Sequence, residues 1–187
     1  MTSALRTVLH RLTRLTGALG CAALALALVL GEHRFRVGEA QLAAHVVAAV
    51  TGHRAVANPQ APQVWLFLEP LQVFGGRITS QCTSVYIVTL LWCGAAALTA
   101  ITRRRPAWAV VAAAAVASLV AVLGNQLRIC ALYGLVALAG RDTGYALGHR
   151  YLGTLLSLVT LAAALAAFLL ALSRPHPTAS DAEADRT

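Results

Sequence analysis

Residues 107–123 read AWAVVAAAAVASLVAVL, a run with no charged side chain, bounded by Arg105-Pro106 before and Gly124-Asn125-Gln126-Leu127-Arg128 after. A bilayer-crossing helix needs ~20 apolar residues, and this run approaches that length. Similar stretches lie near 15–31, 77–102 and 148–172. The chain has 187 residues, 58% of them hydrophobic and 12% charged, with mean hydropathy +0.70. A soluble core of this size would be swamped by apolar surface, so the bilayer is the natural solvent. The expected fold is all-α: a polytopic membrane helix bundle of about four transmembrane helices plus an interfacial amphipathic helix. Residues 1–172 would form one membrane-embedded domain, and 173–187, rich in Ser, Asp, Glu and Ala, a disordered cytoplasmic tail.

Every one of the fifteen basic residues is arginine, and the net charge is +8. Such a balance on a soluble protein would suggest nucleic acid. Here no basic stripe is interleaved with aromatic residues as in single-strand binders, so no nucleic-acid partner is expected. The arginines punctuate the apolar runs instead. Arg6, Arg11 and Arg14 precede the first, Arg103, Arg104 and Arg105 separate the second from the third, and Arg174 follows the last. Basic residues gather on the cytoplasmic side of membrane spans. The expectation is therefore a multi-pass protein of the cell membrane, with both termini cytoplasmic and segment 32–76 extracytoplasmic. The first run could also be a cleaved signal peptide, but further spans follow it, which favours an uncleaved anchor.

Within 32–76, Val37 to Val50 places apolar residues at near-helical spacing, which reads as an amphipathic helix at the interface. Asn58-Pro59, Pro62 and Pro70, with Trp65 and Phe67 among them, read as an extended loop with aromatic residues near the headgroups. Gly124 to Arg128 interrupts the third span. Residues 129–139 are apolar but too short to cross alone, so they are either re-entrant or a continuation of the third helix.

This topology puts three rare reactive groups in one layer. Cys82 lies five residues after Arg77, ~7 Å into the second span at ~1.5 Å per residue. Arg128 and His149 fall at the same end of the third and fourth spans. Each has a bland explanation: a small apolar cysteine, a snorkelling arginine, an interfacial histidine. Together they carry chemistry, because ionisable groups at membrane depth are costly and mark functional sites or buried pairs. A cation favours the thiolate, a neutral imidazole can take and return a proton, and a guanidinium can address an oxyanion. Asn125, three residues before Arg128, shares its helix face. Cys21, Cys82, Cys93 and Cys130 show neither CxxC spacing nor paired histidines, so neither metal nor cofactor is expected.

Three short motifs extend this reading: Ser80-Gln81-Cys82-Thr83-Ser84, Asn125-Gln126-Leu127-Arg128-Ile129 and Gly148-His149-Arg150-Tyr151-Leu152-Gly153. In order and spacing they resemble the Cys, Arg and His motifs of the exosortase/archaeosortase family of membrane-embedded cysteine transpeptidases. The resemblance covers roughly residues 36–172, with fewer helices before the cysteine than many members have. Cys82-Thr83-Ser84 stands where the family commonly has Cys-Ser-Gly, and either His149 or Arg150 fills the third role. The resemblance implies a secreted protein substrate whose C-terminal sorting signal is cleaved through a Cys82 thioacyl intermediate, with transfer to a lipid or glycan acceptor at the surface. Two other readings stand beside it. One is a membrane thiol oxidoreductase pairing Cys82 with Cys130. The other is a non-enzymatic membrane subunit or scaffold in which Arg128 meets a partner's carboxylate.

Overall fold

The computed structural model describes residues 3–69, 72–102 and 105–173. It is a helical bundle with one small sheet. Helix α1 spans Ser3–Leu30, and α2, Glu32–Thr51, follows directly. Three antiparallel strands come next, β1 (Arg54–Ala57), β2 (Gln63–Glu69) and β3 (Gln72–Arg77), in the order β1-β2-β3. A 3-10 turn at Ser80–Cys82 leads into α3 (Val85–Ile101). Helix α4 runs from Ala107 to Ala139, and α5 (Arg141–Ala146) passes through a π-helical turn at Leu147–Leu152 into α6 (Gly153–Ser173).

Arg11–Leu30, Ala107–Ala139 and Arg141–Ser173 are long and apolar enough to cross a membrane, and Val85–Ile101 is a shorter apolar helix. Leu19, Leu26, Leu90, Leu119, Leu158 and Leu165 point outward from these helices, the arrangement a lipid-facing surface requires. Between the helices the contacts are small: Ala95, Ala113, Ala114, Ala117, Ala121 and Ala164 pack with Cys21, Val88, Leu91 and Phe168. Small side chains let backbones approach where no hydrophobic force separates helix from lipid. Arg14 of α1 donates to the Thr99 and Ala100 carbonyls at 2.9–3.2 Å, capping the C-terminal end of α3 with a cation.

A second core lies beyond the first, at the end of the bundle that carries the sheet. Ala40, Ala43, Ala44 and Val47 of α2 meet Val64, Leu66 and Phe74 of the sheet, Ile78, and Ile129, Cys130, Tyr133 and Val136 of α4. This core explains the length of α4. Its 33 residues extend ~50 Å, well past the ~30 Å of hydrocarbon, and the excess is the pillar on which α2 and the sheet rest.

Four boundaries bear on the sequence expectations. Gly124 to Arg128 do not interrupt the third helix, and of the two readings of residues 129–139 the structure shows continuation of that helix. Asn125, Arg128 and the Gln126 amide nitrogen find partners on other elements, while the Gln126 Oε1 is buried without one among the described residues. Asn125 and Gln126 are buried against Glu39, and Gly124 faces Thr160 of α6 so closely that any Cβ would collide with it. The 54–77 region is a sheet rather than an extended loop. Val64 and Leu66 are buried while Trp65 and Phe67 are exposed, and the Asn58 Oδ1 accepts from Gln60 N–H in the turn between β1 and β2. The second apolar helix starts at Val85, not near 77, since Arg77 ends β3 and the 3-10 turn intervenes. The last helix proper begins at Gly153, after the π-helical turn that contains Gly148 and His149. The tail from 174 on, Arg174 itself, and Arg103, Arg104 and Pro70 lie outside the described residues.

Candidate active site

Cys82 sits on the 3-10 turn between β3 and α3, with its N–H bonded to the Thr79 carbonyl at 2.9 Å. It therefore stands before the helix, not ~7 Å inside it. Its side chain is half-buried and packs against the second core. Arg128, on α4, brings Nη2 to 3.5 Å from the Cys82 Sγ, while Nη1 donates to the Gln81 carbonyl at 3.4 Å. One planar fork thus spans the thiol and the backbone beside it.

His149 lines the same cavity of about 640 Å³ as Cys82 and Arg128. Its imidazole stacks on Tyr145 at 5.1 Å with a 6° interplanar angle, one helical turn away. Tyr145 in turn meets Phe74 of β3, which meets Tyr133 of α4, so an aromatic row runs from the sheet to the imidazole. Among the described residues His149 makes no hydrogen bond to Cys82 or Arg128. The thiol and guanidinium are in contact, and the imidazole shares their cavity. Arg150 is exposed and is not part of the cavity wall.

Glycines bring these parts together. Gly144 and Gly148 sit against Leu135, Val136 and Leu132 of α4, where a Cβ at either position would meet backbone or side chain. This lets the α5 and π-helical segment lie directly on α4. Gly153 faces Arg128, whose Nε would stand 3.3 Å from an added Cβ. A π-helical turn often occurs at functional sites, since it re-aims a side chain within an otherwise continuous helix.

Behind the turn lies a group the sequence reading did not single out. Glu39 of α2 is only 4% exposed. Its Oε1 accepts from the Ser84 N–H (3.1 Å), the Ser84 hydroxyl (2.7 Å) and the Asn125 amide (2.8 Å), and its Oε2 accepts from the Thr83 hydroxyl (2.5 Å). Arg36, one turn earlier, donates to the Ile78 carbonyl at 3.3 Å. Helix α2 therefore holds both ends of the segment that carries Cys82. The signal was available in the spacing: Glu39 falls four and eight residues before Ala43 and Val47, on the face of α2 that is buried.

All four cysteines are free thiols. Cys130 is buried in the core against which Cys82 packs, while Cys21 lies in the other core and Cys93 is exposed. The cavity is lined as well by Arg141, Asp142 and Tyr145 of α5 and by Phe74 to Arg77 of the edge strand β3. No family model, curated protein or solved structure matches this chain.

Proposed function

We propose that this chain is a membrane cysteine transpeptidase that cleaves the C-terminal sorting signal of secreted proteins and passes them to a surface acceptor, as its likeness to the exosortase/archaeosortase motifs implies. The observation that carries the reading is the meeting of Cys82, Arg128 and His149, from three separate elements, at a single cavity. Neither packing of a small thiol nor snorkelling of an arginine calls for that convergence.

In this reading the Cys82 sulfur attacks the carbonyl carbon of the scissile peptide. A C–S bond forms, the carbonyl oxygen takes the negative charge, and the Arg128 guanidinium stabilises it. His149 accepts the thiol proton and returns it to the leaving amine as the C–N bond breaks, leaving a thioacyl enzyme. An amine or hydroxyl acceptor then attacks the same carbon, giving its proton to His149 as the C–S bond breaks. Strand β3 supports this scheme, since it is a sheet edge beside the thiol and an extended peptide can add to such an edge. The arginine pattern supports an orientation with cytoplasmic termini and the sheet end outside.

The direct test compares surface proteins from cells carrying the wild-type chain with those from cells carrying Cys82→Ala. The mutant should insert normally and accumulate precursors that retain a C-terminal apolar segment and basic tail. Identical C-termini in the two strains would remove the proposal.

A further inference from the structure

We infer that Glu39 is a positioning residue for the Cys82–Arg128 pair, an inference that rests on the reading above in taking that pair as reactive. A carboxylate offers about four acceptor positions. Glu39 has four donors, from Thr83, from Ser84 twice and from Asn125. Two of these residues directly follow Cys82, and the third lies three residues before Arg128 on the same helix. A single buried side chain is thus bonded at once to the segment bearing the thiol and to the helix bearing the guanidinium.

The donors also explain why a carboxylate is needed. The Ser84 N–H and the Asn125 amide can only donate here and both hydroxyls donate in this arrangement, so an acceptor-only carboxylate satisfies all four as they stand. The Ser84 N–H sits at the entry to α3, and the Thr83 hydroxyl that donates to Glu39 also accepts from the Val85 N–H. Glu39 therefore serves as an anionic cap on α3, where the helix dipole favours negative charge. Glutamine has nearly the same shape, but its bonds to Ser84 and Asn125 lose their charge assistance, and its amide nitrogen requires the Thr83 hydroxyl, already accepting from the Val85 N–H, to turn from donor to acceptor. The turn holding Cys82 would then be held less firmly to α4.

Charge and position predict opposite signs, which makes the role testable without a known substrate. Removing a negative charge near a thiol favours the thiolate and speeds alkylation, whereas releasing the thiol from the guanidinium slows it. The measurement is the rate of Cys82 alkylation by iodoacetamide in the full chain in lipid nanodiscs, read peptide by peptide by mass spectrometry, with thermal melting of each variant alongside. Arg128→Ala sets the scale of the lost pairing. Glu39→Gln should slow Cys82 by a similar factor, about tenfold. Asn125→Ala keeps the charge of Glu39 and its bonds to Thr83 and Ser84 but removes its donor on α4, and should slow Cys82 in the same direction. Alkylation of Glu39→Gln at or above the wild-type rate, with Arg128→Ala slowed, overturns the role of Glu39 alone. An unchanged rate in Arg128→Ala overturns the pairing itself. If Glu39→Gln melts early, Asn125→Ala decides: a native melt with wild-type alkylation rejects the inference, and a native melt with slowed alkylation upholds it.

Discussion

Arg128 Nη2 stands 3.5 Å from Cys82 Sγ although 46 residues separate them in the chain. Holding a guanidinium against a thiol in this way takes two elements fixed with respect to each other, and buried hydrogen bonds from α2 supply the fixation. The contact ties the fold to the proposed chemistry, and each prediction below perturbs one part of it.

Arg128→Lys should insert and melt like wild type yet lose about 10²-fold in the rate of substrate processing, the scale of removing one oxyanion donor. An ammonium is a point charge and cannot address the Gln81 carbonyl and the Cys82 sulfur together. Single-turnover processing by purified protein is the measurement, and full activity would reduce Arg128 to a generic cation.

His149→Gln keeps the size and polarity of the side chain and removes its capacity to carry a proton at neutral pH. Turnover should fall about 10²-fold or more, in the range of lost general acid–base catalysis. The stack on Tyr145 makes a control: Tyr145→Phe keeps a ring at 5.1 Å from the imidazole and should keep most of the activity. A loss of melting temperature in His149→Gln with turnover intact would make this residue an interfacial anchor.

Cys130→Ala distinguishes acyl transfer from thiol exchange. Cys130 is buried with Ile129 and Tyr133 in the core against which Cys82 packs. Alanine leaves a small gap there, costing about 1 kcal/mol of stability, and processing should continue. If Cys130→Ala were as inactive as Cys82→Ala, and the two thiols were found linked under non-reducing conditions, the oxidoreductase reading would replace the transpeptidase.

At the opposite end of the bundle, Arg14→Ala should destabilise the protein by about 1 kcal/mol without altering chemistry, because the last carbonyls of α3 lose their cationic cap. Thermal melting in nanodiscs measures this. An unchanged melt would mean that water serves those carbonyls equally well.

The helical class was legible because apolar runs are signals written residue by residue, and the rarity of their polar groups picked out Cys82, Arg128 and His149, which line one cavity although Cys82 stands before its helix rather than inside it. The sheet was not, since prolines at 59 and 62 look like a loop until the Val64-Trp65-Leu66-Phe67 alternation is weighed against them. Gly124 to Arg128 look like a break for a related reason. Their polar groups need partners, and those partners, Glu39, Gln81 and Cys82, come from other elements. Glu39 was passed over as one polar residue in an amphipathic helix, although its spacing placed it on the buried face. Gly144, Gly148 and Gly153 acquire meaning only once α4 is known to pass behind them.

The most direct measurement is capture of the covalent intermediate on the sulfur. Purified wild-type protein would be mixed with a membrane fraction from cells accumulating uncleaved precursor, quenched in acid, and the Cys82 peptide examined by mass spectrometry with and without hydroxylamine. An acyl adduct on Cys82 that hydroxylamine releases as a hydroxamate, and that forms far more slowly when the His149→Gln protein is used, is the expected result. An unmodified Cys82 peptide throughout, while precursor is still being processed, would contradict it.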